Sequence, residues 1–237
     1  MTSGITSTAS PRRRKAARRA EILAAAREVF SAKPFETASV SEIAALAGCV
    51  EGTLYTYFKG KRDLYDAVLA EFYDRLIEDI GPRFESIQGT TDRLRFLIAR
   101  HLQIAFDDPG IARMIRSESR VTTDYFGSKL HALNRRYSRF LLRTIADGVA
   151  RGDLRADLDQ AMARDLVFGG LEHASWNAWG RQRAIDPVRT ADAIVAMLMG
   201  GWAPEASPAL TVSAASIDEL RRRVELLERR VDGGQHA

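Results

Sequence analysis

Apolar residues recur at intervals of three and four from Ile22 onward, and no alternating run of strand length interrupts them. An all-α fold is the expectation. A first helix should end near Ser31, with Ile22, Ala26, Val29 and Phe30 on one face, broken by Lys33-Pro34. Ser39 with Glu42 three residues later is a capping-box start for a helix over 40–47. Ile43, Ala44 and Ala47 share its apolar face, and Gly48 stops it. A second short helix is predicted over 51–58, in which Leu54 and Phe58, four apart, must both face inward. With 100° per residue, Gly52, Thr53 and Thr56 then point away from the core, and Tyr55 and Tyr57 stand on opposite flanks. A small, hydroxylated outer face can lie close against a surface, as a recognition helix in a DNA major groove must.

Beyond Lys61 a long helix should run over 62–80 on Leu64, Val68, Phe72 and Leu76, stopped by Gly81-Pro82. Helices follow over 91–106 (Leu94, Leu97, Ile98, Leu102, Ala105), around Ile111, Met114 and Ile115, and over 129–150 with Gly152 just past the end. Asp159 can cap a helix over 160–179, and Asp186-Pro187 opens another over 187–199. Gly169-Gly170 inside the first of these costs about 1 kcal/mol per glycine relative to alanine. A close helix–helix contact would offset that. Both helices are apolar over more than one face, which predicts a partner subunit covering Leu166, Gly169, Gly170, His173, Ile194, Met197 and Leu198. The domain division is 1–17 (a disordered basic arm), 18–66 (the DNA-binding head), 67–202 (a helical ligand-binding and dimerisation body), 203–215 (a linker) and 216–232. That last segment opens on a Ser216/Glu219 capping box. It carries Ile217, Leu220, Val224, Leu227 and Val231 as a two-heptad seam, the pattern of a short amphipathic helix.

Composition narrows the class. Of 237 residues, 46% are hydrophobic and 28% charged, as in a soluble globular protein, and no apolar run is long enough to span a membrane. The N-terminus is polar and then basic with no apolar segment behind it, so a cytoplasmic location is expected. One cysteine, Cys49, excludes an internal disulfide and a cysteine metal cluster. Residues 1–66 hold 11 Lys and Arg against 7 Asp and Glu, whereas the remainder has 24 of each, so the net +4 lies wholly within 1–66, with the helix-turn-helix candidate and the segment before it. Six of those eleven positive charges, and no acid, fall in the run Pro11–Arg19, placing Arg12, Arg13 and Arg14 where they can lie along phosphates or enter a minor groove.

With these pieces in order, residues 18–66 resemble the DNA-binding domain of the TetR family of bacterial transcriptional regulators. The matching residues are RRAEILAAAREVF, SVSEIAALAG and GTLYTYFKGKRDLYDAVL. The resemblance implies that Ser39 starts the motif against a phosphate, that Thr53, Thr56 and Tyr57 approach the groove, and that Tyr55 and Lys61 hold the DNA backbone. Ser41, Gly52 and Lys59 complete the expected DNA-binding set. The turn departs from the family's usual Gly-Val-Ser: here Gly48-Cys49-Val50 lacks a side chain that can cap, at a cost of about 1 kcal/mol. Glu51 is read as a carboxylate favoured by the helix N-terminus, rather than as an acceptor for a cytosine amino group. The stretch RADLDQAMARDLVFGGLEHASWNAW is similar to the corresponding helix of the branch controlling fatty-acid degradation, which Glu51-Gly52-Thr53 also matches. That likeness implies a long-chain acyl-CoA that releases the DNA.

No enzyme signature competes. The four histidines have no metal-ligand spacing, no glycine-rich phosphate loop occurs, and no cofactor is expected. Candidate effector contacts are Leu102, Phe106, Met114, Tyr137 and Trp176. The expected partners are operator DNA, a second copy of the chain and a small hydrophobic effector. A drug or steroid in place of acyl-CoA, or an effector-free dimer working through protein partners, remain the alternatives.

Overall fold

The computed structural model describes residues 10–121 and 125–204, with Arg221, Arg222 and Val224 beyond them. Among the described residues there are nine helices and no strand: α1 (Pro11–Ala32), α2 (Val40–Leu46), α3 (Glu51–Tyr55), α4 (Lys61–Ser86), α5 (Thr90–Asp107), α6 (Pro109–Val121), α7 (Lys129–Arg151), α8 (Gln160–Gly180) and α9 (Pro187–Trp202). Residues up to 203 form one compact unit, and those from 204 another. In the second, Arg221, Arg222 and Val224 are helical, within the predicted 216–232 helix. The rest of that helix, the linker from 205 and the tail 1–9 lie outside the described residues.

The helix starts follow local chemistry. Ser39 and Glu42 form the reciprocal capping box, with the Ser39 hydroxyl accepting from the Glu42 amide at 3.1 Å. Asp159 accepts from the amides of Ala161 and Met162, and Asp186 from those of Val188 and Arg189. Gly48, at φ +64°, makes the turn after α2 in the left-handed region where other residues are strained.

Four expectations give way. Residues 11–17 are not a separate disordered arm but the first turns of α1, because Ser10 caps, Pro11 sits at the first position and Ala and Arg are strong helix formers. Helix α3 is shorter than 51–58, ending at Tyr55; the Thr56 hydroxyl donates to the Thr53 carbonyl at 2.7 Å and tightens the exit, while Phe58 stays buried. Helix α4 does not stop at Gly81-Pro82 but runs through it to Ser86. An interior proline costs roughly 3 kcal/mol. Full burial of Phe84 just beyond it returns about 2–3 kcal/mol. Its ring packs 5.1 Å from that of Phe140 and lies under the Arg93 guanidinium at 4.7 Å. Also on α4, the inward aromatic is Tyr73 rather than Phe72, which is half-buried against it.

Helix α5 is the centre of the body, packing on α6, α7, α8 and α9, and its whole predicted stripe from Leu94 to Ala105 is buried. The head is joined to the body through α1 and α4. Helix α1 packs on α6 so closely that a Cβ on Gly110 would lie 2.4 Å from the Cβ of Ser31. Around that contact Arg27 pairs with Asp108, Arg62 bonds Glu118 at 2.5 Å, and the buried Tyr65 hydroxyl donates to the Met114 carbonyl at 3.1 Å.

Candidate nucleic-acid interface and effector pocket

The head presents an open face built by α2, α3 and the start of α1. Leu54 and Phe58 are buried beneath it at 0% and 3% exposure, which turns Gly52, Tyr55 and Thr56 outward with Thr53 half-buried beside them. Tyr55 is 52% exposed. Ser39 sits at the N-terminus of α2, and Lys59 is exposed just past α3. Arg12, Arg13, Arg14 and Lys15 are exposed on the first turns of α1. The other two arginines of that run are tied to the head: Arg18 donates to the Ala47 carbonyl at 3.3 Å, and Arg19 lies over the Phe58 ring at 5.2 Å.

Two of the residues predicted to contact DNA are engaged within the head. The Lys61 ammonium donates to the carbonyls of Phe35 (2.7 Å), Glu36 (3.2 Å) and Ala38 (2.9 Å), using all three of its protons. It also sits 4.5 Å from the Phe35 ring centre. Lys61 therefore clamps the loop between α1 and α2 instead of reaching outward. Tyr57 is half-buried and packs against the core. Ser41 donates to the Glu51 carboxylate, tying α2 to α3. That bond occupies the acid within the motif, in line with its position in the first turn of α3. Val50, at the cap position, makes no capping bond and is 73% exposed, while Cys49 is half-buried against the core. Beneath Ser39, the Lys33 ammonium hydrogen-bonded to Glu42 at 2.5 Å, and then the Ser39 amide, hold that carboxyl below its usual range.

In the body, an apolar pocket of about 260 Å³, open mouth included, is lined by Leu97, Ile98, Tyr137, Phe140, Leu141, Val167, Phe168 and Leu171. Of the predicted effector contacts only Tyr137 lines it. Leu102 and Met114 are plain core, at 0% and 3% exposure. Phe106 packs on Trp179, and the Arg116 guanidinium lies 5.1 Å from the Trp179 ring centre. Trp176 is 55% exposed and faces away from the pocket, because α8 turns its Val167–Leu171–Ser175–Ala178 stripe inward. The pocket residues were missed because Leu97, Ile98 and Leu141 look like any core leucine or isoleucine in the sequence. A gap between helices leaves no periodic signal.

The outer sides of α8 and α9 each carry exposed apolar residues. Leu166 (59% exposed), Gly169, Gly170, His173 and Met197 (70%) lie there, and Ile194 and Leu198 are half-buried. Met162, Trp176, Ala193 and Ala196 are exposed as well, beyond the predicted residues. The spacing 162, 166, 169/170, 173 and 176 was a readable signal for the α8 face. Among the described residues, no atom outside the local helix backbone lies within 4 Å of a Cβ built on Gly169 or Gly170.

Comparison with known proteins joins these parts. Residues 22–68 match the bacterial regulatory proteins of the tetR family, and residues 69–201 match the YsiA-like protein C-terminal region. The chain belongs to the tetR family of bacterial regulatory proteins. Within it, the fatty acid metabolism regulator protein of Bacillus subtilis (strain 168) is 25% identical over 185 residues, 76% of this chain and 93% of that protein. The fatty acid degradation regulator FadR from Bacillus halodurans superposes with a TM-score of 0.69 at 25% identity, covering 77% of this chain and 98% of that one. The regulator FadR from Bacillus subtilis, solved in complex with stearoyl-CoA, gives 0.70 at 24% identity over the same shares, a likeness that speaks for the fold. As a tetR-family regulator, the protein places its helix-turn-helix on α2 and α3 and its YsiA-like region on the body from α4 to α9. None of the described helices is long and apolar enough to cross a membrane.

Proposed function

We propose that this regulator is a homodimeric repressor whose grip on a pseudo-palindromic operator is released by a long-chain acyl-CoA. It acts by binding alone, with no catalytic step, in the cytoplasm beside its DNA. What carries the reading is the union, in one tetR-family chain, of an open-faced helix-turn-helix with a YsiA-like body that holds an apolar pocket. Gly52, Thr53, Tyr55 and Thr56 approach the major groove, Gly52 allowing close contact and the hydroxyls reaching base edges and phosphates. Ser39, Ser41 and Lys59 meet the backbone, as do Arg12, Arg13 and Arg14 from the start of α1. Leu166, Gly169, Gly170, His173, Ile194, Met197 and Leu198 meet their copies in a bundle formed by α8 and α9 of two chains.

The pocket's size supports a release mechanism. Its interior room is only about 10 Å³, space for one water at most, so a long acyl chain would not fit in it. Binding must push α5, α7 and α8 apart. Tyr137 on the pocket wall packs edge-on against Tyr73 of α4, with ring centres 6.3 Å apart, and α4 begins in the head. Opening the pocket thus moves the helix that orients α3. A coupling of about 1–3 kcal/mol would change operator affinity about 5- to 150-fold.

The test is a fluorescence-anisotropy titration of the full chain on duplex DNA from the region upstream of its own gene, with and without stearoyl-CoA. Binding weakened several-fold by the thioester, and not by free coenzyme A, is the expected result. Operator affinity unchanged at saturating stearoyl-CoA contradicts the reading.

A further inference from the structure

The pocket is apolar with one exception, and that exception is paired. Seven of its eight lining residues have all-carbon side chains, and the eighth, Tyr137, carries a hydroxyl. That hydroxyl lies 3.3 Å from Nδ1 of His101 on α5, and the two rings stack at 5.9 Å with Phe168 closing over both. Neither group is charged near neutral pH. Burial lowers the imidazole from 6.5 to about 4, and burial also raises the phenol well above its ordinary value. No cation lines the pocket. Arg100, whose charge is felt at Tyr137, is engaged by Asp79 through bonds of 2.9 and 3.2 Å.

We infer that the Tyr137 hydroxyl, backed by His101, is the polar anchor of the effector pocket and takes a neutral acceptor oxygen, the carbonyl of an acyl thioester. This rests on the acyl-CoA reading above and adds which chemical group is recognised and by what. A neutral imidazole can carry its proton on either nitrogen. When an acceptor oxygen enters, the phenol O–H turns to it, and the tautomer with Nδ1–H donates to the phenol oxygen from the other side. The pair thus satisfies an oxygen without adding charge. A carboxylate at the same place would be buried without a counter-ion, a cost that a single neutral donor does not cover. The pocket therefore separates acyl thioesters from free fatty acids by charge rather than by shape.

Three ligands measured by calorimetry on the full-length wild type and on Tyr137→Phe test this: stearoyl-CoA, its S-octadecyl thioether analogue lacking the carbonyl, and free stearate. One neutral hydrogen bond is worth about 1 kcal/mol, or roughly 5-fold in affinity. Wild type should prefer the thioester over the thioether by about that factor and bind stearate more weakly still, while Y137F should bind thioester and thioether alike. The wild-type comparison stands whether or not the variant folds. Equal affinity of wild type for thioester and thioether, or a preference that survives in Y137F, overturns the anchor and leaves the acyl-CoA reading intact. If wild type binds none of the three, the acyl-CoA effector falls and the anchor with it.

Discussion

Val50 and Lys61 show how single residues set the quality of the head. Val50 occupies a cap position with no capping bond, so Val50→Ser should supply a side-chain acceptor to the first turn of α3. A gain of about 1 kcal/mol corresponds to about 2–4 °C in melting temperature for a domain of this size. An unchanged or lower value in a thermal scan would count against the missing cap as a weakness. Lys59 and Lys61 lie two residues apart with opposite fates. Lys59→Ala should reduce the slope of log affinity against log salt by about 1, the signature of one lost phosphate contact. Lys61→Met should leave that slope alone and lower the melting temperature instead, because three loop carbonyls lose their donor. The sequence could place Lys61 beside the motif but not choose between these fates. An ammonium's partners are set by a loop 23–26 residues away.

His101 belongs to the same scale and gives a pH dependence. Its folded value, about 4, lies below the 6.5 of the free side chain, so the unfolded chain takes the proton first as pH falls. Its contribution to stability is whole above 6.5 and is lost as pH drops toward 4. Replacing it by Phe should flatten the decline in melting temperature between pH 6.5 and 4. Below that window the loss belongs to carboxyls held low by their partners, such as Glu85 by Arg143 and Asp63 by the Lys59 amide, and it should persist in the variant.

At the level of elements, what could be read was what local chemistry decides. The starts of α2, α8 and α9 follow from Ser39, Asp159 and Asp186, and the stripe of α5 from spacing alone. What could not be read was decided by distant packing: α4 crosses Pro82 because Phe84 finds Phe140, and Trp176 turns outward because Leu171 and Ser175 turn in. The seat of α6 on α1 is of this second kind. Gly110 meets Ser31 with no room for a side chain, so Gly110→Val must separate the two helices. It should lower the melting temperature by several degrees and weaken the response of DNA binding to ligand, because α6 no longer holds the head in register. A melting temperature equal to wild type would show that the contact is not needed.

At the scale of the whole molecule, the proposed repressor is two chains joined through the exposed sides of α8 and α9. A carboxylate placed at the centre of that surface would be buried unpaired in the dimer, yet harmless to a single chain in which Met197 is 70% exposed. Met197→Asp should therefore yield a folded protein of 26.3 kDa by light scattering that no longer binds operator tightly, whereas a dimer that persists would move the interface elsewhere. The likeness to the fatty-acid regulators was legible from the 155–179 stretch and Glu51-Gly52-Thr53, whereas the pocket that gives it chemical meaning exists only once α5, α7 and α8 are packed. Native mass spectrometry of the operator complex tests dimer and release together. Two chains should be found on each duplex without ligand, and after addition of stearoyl-CoA free duplex and ligand-loaded dimer should replace that species. A complex that keeps its two chains and its DNA while carrying the ligand would contradict the account.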